Sequence, residues 1–299
     1  MQHPFHTARI MPVQKEAYQH KNIELAVLRL DELHPVISGN KWYKLKAYLA
    51  HAAQQQKKAV LTFGGAYSNH IVATAAACAM YGFQSIGIIR GEAPNVLSPT
   101  LLDAQQYGMH LHFISREAYR AKWIPPEVYG PFKKWEIYEI GEGGYGAKGA
   151  EGSMDILKSL PAESYTHIIA AVGTGTMLAG LVKAAAKHQQ VIGISVLKNN
   201  FSVQEAIQKL IAASTKKFQI VHDYHFGGYA KHTPELLQFM SDWYHGTGIP
   251  IDFVYTAKTF YAAELLIQKD FFKPGSSLLL IHSGGLQGNR SLPPGALPF

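Results

Sequence analysis

The sequence predicts an α/β protein of two domains, with mostly parallel sheets flanked by helices. Three observations carry this expectation. Short apolar runs rich in β-branched residues alternate with longer helical segments along most of the chain. Several of those runs end in turns of glycine and hydroxyl residues, the edge at which open α/β sheets bind ligands. The 299 residues, 47% of them hydrophobic, suffice for a large core, and at ~100–200 residues per domain they allow two domains.

In order, the pattern predicts a strand over residues 25–30 and a helix over 41–55. Strand 59–63 leads to helix 69–81, strand 85–89 to helix 99–107, and strand 110–114 to an irregular stretch holding Pro125, Pro126 and Pro131. A strand over 135–140 precedes the glycine-rich run EGGYGAKGAEG (142–152), read as a loop or helix start that returns the chain to the other domain. Strand 167–172, helix 177–187, strand 191–196, helix 203–213, strand 219–221 and helix 234–245 follow. A short strand over 253–255, helix 258–269 and strand 277–282 complete the pattern, before a proline-rich tail.

Charge and cysteine content narrow the function classes. The net charge of +7 is spread out, and pairs such as Lys57–Lys58 and Lys216–Lys217 are too short for a nucleic-acid arm. The single cysteine, Cys78, permits no intrachain disulfide and sits in a small-residue run, as a packed core thiol would. No stretch approaches the ~18 continuous apolar residues of a membrane span, and the first residues lack the apolar core of a signal peptide. A cytoplasmic protein that binds neither nucleic acid nor membrane is expected.

Four loops carry chemistry. In SGNKWYKLK (38–46), Ser38 is read as capping a helix and Gly39 as turning the chain, which puts Lys41 in the first helical turn. The partial positive charge of the helix start opposes a cation there, and Lys44 one turn on adds repulsion. Both favour the neutral amine that attacks a carbonyl to form a Schiff base. In FGGAYSNH (63–70), Gly64 and Gly65 end a strand and Ser68 caps the helix opening at Asn69, whose N–H groups suit a carboxylate. In AVGTGTMLAG (171–180), Gly173, Thr174, Gly175 and Thr176 form a phosphate cradle before a helix. The fourth is a pair of strand ends, VYTAK (254–258) with Tyr255 and Thr256, and IHSGG (281–285) with Ser283.

Other schemes fit less well. A dinucleotide fingerprint would need a third glycine at another spacing and an acidic residue ending the next strand, where Leu197 and Lys198 stand. No Gly-Lys-Ser/Thr completes a nucleotide loop, and no Gly-x-Ser-x-Gly marks a hydrolase nucleophile. Neither His-Glu-x-x-His nor paired cysteines support a metal.

In order along the chain, SGNK followed by KL, GGAYSNH, GTGT, VYTAK and IHSGG resemble the pyridoxal-phosphate family that contains 1-aminocyclopropane-1-carboxylate deaminase and D-cysteine desulfhydrase. The similarity runs from about residue 25 to residue 285. It implies the tryptophan synthase β-like fold, fold type II of pyridoxal-phosphate enzymes. It also implies pyridoxal 5'-phosphate as cofactor, a small amino acid as substrate and a homodimer. By this resemblance Lys41 is the Schiff-base lysine and later proton carrier. Asn69 meets the cofactor ring hydroxyl, Ser68, Asn69 and His70 hold the substrate carboxylate, and Gly173, Thr174, Gly175 and Thr176 hold the phosphate. Tyr255 and Tyr229 flank the substrate, and Ser283 faces the pyridine nitrogen.

Thr256 stands where enzymes similar to the cyclopropane deaminase carry a glutamate for that nitrogen, and Ser283 resembles the desulfhydrase branch. A neutral hydroxyl makes the ring a weaker electron sink, which suits loss of a β leaving group better than ring opening. The expected activity is α,β-elimination with deamination, with 1-aminocyclopropane-1-carboxylate deamination and non-catalytic cofactor binding as alternatives. The expected organisation is a larger cofactor-binding domain from residues 1–46 and 150–299 and a smaller inserted one from 47–149, with the cofactor in the cleft.

Overall fold

A computed structural model of the chain describes residues 5–130, 132–158, 160–211 and 216–299. Pro131 and the last two residues of the helix expected over 203–213 lie outside the described residues. The elements are β1 (Arg9–Val13), α1 (Glu16–His20), β2 (Glu24–Arg29), α2 (Asn40–Gln54), β3 (Ala59–Gly64), α3 (Asn69–Tyr81), β4 (Gln84–Arg90), α4 (Pro99–Gln106), β5 (Met109–Ile114), α5 (Arg116–Ala121), β6 (Ile137–Ile140) and α6 (Ala147–Ser153). After these come α7 (Asp155–Lys158), β7 (His167–Val172), α8 (Thr176–Ala184), β8 (Gln190–Ser195), α9 (Val203–Ile211), β9 (Phe218–Val221), α10 (Pro234–Thr247), α11 (Thr256–Gln268) and β10 (Ser277–His282). They form two compact units, one from Met1–Asn40 and Ser153–Phe299, the other from Lys41–Gly152.

The first unit holds a six-stranded sheet in the order β1-β2-β10-β7-β8-β9. All neighbours are parallel except β1, which pairs antiparallel with β2 at the edge. Both faces are covered, as near-continuous apolar strands require. On β8, Ile192 and Ile194 join Trp243 of α10 and Phe260 of α11 in one core cluster. Gly193, between them, points the other way, where a Cβ would meet Leu178 of α8 at 2.7 Å.

The second unit is a four-stranded parallel sheet in the order β5-β4-β3-β6. Ile86 and Ile88 of β4 pack with Phe63 and Tyr119 on one face. Ile89 packs with Ile71, Ala75, Leu101 and Ala104, from α3 and α4, on the other. The helix starts are chemically marked. Ser68, Ser98, Ser115 and Thr233 each accept a hydrogen bond from a first-turn N–H of α3, α4, α5 and α10.

Three expectations need correction. Residues 253–255 are not a strand. The Asp252 carboxylate accepts the N–H groups of Val254, Tyr255 and Thr256 at 2.9–3.0 Å and turns the chain directly into α11. The irregular stretch after β5 contains α5, and Trp135 and Glu136 lie in a 3-10 turn rather than in β6. The antiparallel pair to β2 and the short α1 were also not anticipated. β1 is a half-exposed edge strand carrying Pro12, and α1 is too short to show a helical period.

Candidate functional site

At the start of α2, Gly39 has φ +65°, and a Cβ there would overlap the Ser283 carbonyl. Only glycine combines that backbone with that closeness. Asn40 N donates to the same carbonyl at 3.2 Å. Gly39 therefore holds the position before the helix, and Ser38, expected as the cap, stands one residue too early.

Lys41 is the second residue of α2 and is half-buried. Lys44, one turn on, is 3% exposed and donates to the Gly143 carbonyl at 3.0 Å. Burial, then the Lys41 charge, holds its amine well below the ordinary lysine range. A further turn on, the Tyr48 hydroxyl donates to the Tyr145 carbonyl at 2.9 Å. The glycine-rich run is thus tied to one face of α2 by residues four apart. Gly144, at φ +71°, leaves room for both Lys44 and His70, which a Cβ would meet at 3.1 and 3.4 Å.

At the start of α3, a Cβ on Gly64 would strike Ile71 and Ser68 at 2.5–2.8 Å, so the strand end must lack a side chain. Ser68 Oγ accepts from Ile71 N, which leaves its own hydrogen available for an acceptor. Asn69 is buried at the first helical position. His70 is 2% exposed, with Nε2 2.9 Å from Thr62 Oγ1. Thr62 spends its one hydrogen on the Ile140 carbonyl, so Nε2 carries the histidine proton and Nδ1 the lone pair. That buried Nδ1 has no hydrogen-bond partner among the described residues. Burial, then the Lys41 and Lys44 charges, holds the imidazole well below the usual histidine range.

In the other unit, Gly175 caps α8 at φ +81°, where a Cβ would meet Ile207 at 2.5 Å. The Thr174 and Thr176 hydroxyls lie 3.3 Å apart, and Asn200 donates to the Gly173 carbonyl at 3.2 Å. A helix start with two hydroxyls and no intervening side chains is an anion cradle. Tyr255 adjoins it, since a Cβ on Gly173 would lie 3.5 Å from the ring. The Tyr229 ring packs edge-on against Tyr255 at 6.2 Å and 70°. Thr256 is fully buried, and its hydroxyl donates to Asp252 Oδ1 at 2.7 Å and accepts from Asp252 N at 2.7 Å. Ser283 is 8% exposed beside Gly39, and its hydroxyl makes no hydrogen bond among the described residues.

Some groups around these loops gave no signal in the sequence. Arg29 makes a buried two-pronged pair with Asp31 at 2.6 and 2.9 Å. His282, next to Ser283, donates Nε2–H to the Pro250 carbonyl at 2.7 Å, and its Nδ1 lies 3.2 Å from Asp31. Asp252 and Lys258 are both wholly buried. Each reads in the sequence as an ordinary surface charge. Among the described residues no group of histidine, cysteine, aspartate and glutamate side chains is arranged to hold a metal, and no helix is long and apolar enough to cross a membrane.

The pyridoxal-phosphate dependent enzyme family matches residues 10–284. A protein of Pyrococcus abyssi (strain GE5 / Orsay) named putative 1-aminocyclopropane-1-carboxylate deaminase is 30% identical over 288 residues, covering 89% of this chain and 86% of its own. The Arabidopsis thaliana protein named bifunctional D-cysteine desulfhydrase/1-aminocyclopropane-1-carboxylate deaminase is 28% identical over 295 residues, covering 89% of this chain and 73% of its own. A crystal structure of an ACC deaminase homologue superposes with a TM-score of 0.81 at 26% identity, over 94% of this chain and 90% of that one. The chain belongs to the pyridoxal-phosphate dependent enzymes, has their fold type II architecture, and takes pyridoxal phosphate as its cofactor.

Proposed function

We propose that this protein is a deaminating lyase that performs α,β-elimination on a small amino acid of the D-cysteine type. D-cysteine and water would yield pyruvate, hydrogen sulfide and ammonia. What supports elimination over ring opening is the bond between Thr256 and Asp252. The threonine hydroxyl is spent on that carboxylate, and the carboxylate is spent on the threonine and three N–H groups. Neither is left to protonate a ring nitrogen, and the neutral Ser283 hydroxyl is the group assigned to it.

The residues fit the cofactor. One helix start, at Gly175, is shaped for a phosphate, and a second, at Ser68, for a carboxylate. A lysine occupies the first turn of a third helix, beside a second buried lysine. When bound, the cofactor supplies an aldehyde for the substrate amine and a ring that spreads the charge left by the α-proton. Lys41 holds the aldehyde and later takes the α-proton on Nζ. Gly173, Thr174, Gly175 and Thr176 hold the phosphate. Asn69 meets the ring hydroxyl. The substrate carboxylate is held by the Ser68 hydroxyl and the helix-start N–H groups of Asn69 and His70. The neutral His70 ring offers an acceptor and so contributes its backbone, not its side chain, to an anion. Tyr255 or Tyr229 donates a proton to the departing group.

On the same reading, residues 1–46 and 150–299 form the cofactor-binding domain and 47–149 the smaller one. The protein is a cytoplasmic homodimer, a state that sedimentation equilibrium checks directly. The names of the relatives favour a second reading, deamination of 1-aminocyclopropane-1-carboxylate.

The deciding measurement is the visible spectrum of the purified protein and of Lys41→Ala, followed by product assay with both substrates. A lysine-linked cofactor band in the wild type only, with pyruvate from D-cysteine, supports the proposal. 2-Oxobutanoate from the cyclopropane substrate in place of pyruvate favours the second reading. A wild type that stays colourless after reconstitution with pyridoxal phosphate sinks both.

A further inference from the structure

Lys258 lies on α11, three residues after Tyr255, and is wholly buried. Its Nζ donates to two backbone carbonyls, His225 at 2.9 Å and Gly228 at 2.6 Å. Those carbonyls belong to the segment that carries Tyr229, residues 225–231. Within it Phe226, Gly227, Gly228 and Ala230 have φ of +49°, +87°, +112° and +52°. Two of these are not glycine, so local preference does not hold the backbone there and the surroundings must. Within the segment Gly227 N donates to His225 Nδ1 at 3.0 Å, and the Phe226 ring packs edge-on against Tyr261 of α11 at 4.9 Å. His225 O accepts from Gly228 N at 2.9 Å, and Gly228 O from Lys231 N at 3.2 Å. Lys258 adds a stronger, charged donor to both of these carbonyls.

The placement has a direct consequence. Tyr255 occupies the cap position of the helix that carries Lys258, and the Tyr229 ring packs edge-on against it. One ammonium therefore ties the segment of one tyrosine to the helix start of the other. Burying a cation is unfavourable unless it is well bonded. Burial lowers the Lys258 pKa to about 8, against the opposing pull of Asp252. A methionine would fill the same space without that burden.

We propose that Lys258 is a positioning residue that sets Tyr229 against Tyr255, and thereby places the Tyr229 hydroxyl as the proton donor for the leaving group. The proposal rests on the assignment of the two tyrosines to the substrate.

The test is a double-mutant cycle on the holoenzyme, with Lys258→Met, Tyr229→Phe and the pair assayed on D-cysteine. Lys258→Met should lower kcat by about tenfold or more, with KM and the visible cofactor band nearly unchanged. In the Tyr229→Phe background the same change should cost no more than about twofold, because the tie then positions no hydroxyl. Equal fold losses in the two backgrounds, or wild-type kcat in Lys258→Met, would overturn it. Should the methionine variant fail to fold, Lys258→Gln replaces the ammonium with a shorter, neutral donor and should show the same pattern at smaller amplitude, a several-fold loss of kcat alone and none in the Tyr229→Phe background, with equal losses overturning the proposal. Amide exchange across residues 225–231 reads the tie without cofactor. Faster exchange confined to that segment in the variant supports the proposal, and unchanged exchange overturns it. A colourless wild type defeats the functional reading alone, and exchange then still decides on Lys258.

Discussion

His70 resists protonation because its ring is buried and because two lysine charges act on it. An unfolded histidine takes its proton near pH 6.5, whereas the folded one does so only well below. Between those values the unfolded chain binds more protons, so the contribution is complete above pH 6.5 and is lost as pH falls. The loss is at most about 1.4 kcal/mol per pH unit. In His70→Gln that dependence should vanish, and the melting temperature should fall less between pH 7 and pH 5 than in the wild type. An equal fall in both would mean that His70 is protonated in the folded protein. Asp252 is the other residue whose environment sets its effect. Its oxygens serve three N–H groups and one hydroxyl, all of which Asp252→Ala would strand at a helix start. Urea denaturation should show a loss of about 3 kcal/mol. A loss under about 1 kcal/mol would mean that water replaces the carboxylate.

Helix α2 is positioned by what its neighbours lack. A Cβ on Gly152, in α6, would overlap the Tyr43 carbonyl of α2, and backbone on both sides cannot yield as a side-chain tip could. Gly152→Ala should therefore destabilise the protein by about 2–3 kcal/mol, while Gly82→Ala, at an open helix end with φ +77°, should cost about 1 kcal/mol through backbone strain alone. Chemical denaturation of the two variants compares them, and equal losses would mean that α6 shifts freely. The same elements show what the sequence made legible. Buried parallel strands such as β7 and β10 are near-continuous apolar runs, and capped helices such as α3 carry serine before them, so both were readable. The run Phe253–Val254–Tyr255 also looks like a strand, because β propensity is local while the Asp252 cap that bends it depends on three-dimensional bonding. The loops of the candidate site were readable for the opposite reason. Glycine and hydroxyl residues at strand ends have few other uses, whereas Lys44 and Lys258 look like surface lysines until their carbonyl partners, a long way off in sequence, are known.

The chain divides into two units with separate cores, and the residues proposed above for the cofactor fall in both. Residues 173–176 and Ser283 belong to one, Lys41 and the start of α3 to the other. That division makes cofactor binding a global test of the assignment. A ligand that binds only the folded state raises its stability by mass action, about 2.7 kcal/mol at a hundredfold excess over Kd. Loading with pyridoxal phosphate should therefore raise the melting temperature, and pyridoxal without its phosphate should raise it less. In Thr174→Ala/Thr176→Ala the two ligands should differ less, because the cradle that tells them apart has lost its hydroxyls. Amide exchange locates the effect. Loading should slow exchange at residues 174–178 in one unit and at 69–72 in the other. Protection at 174–178 alone would leave the phosphate assignment standing and remove α3 from the cofactor site. Protection at neither, with a raised melting temperature, would mean that the cofactor binds through other residues and that the four loops were wrongly joined.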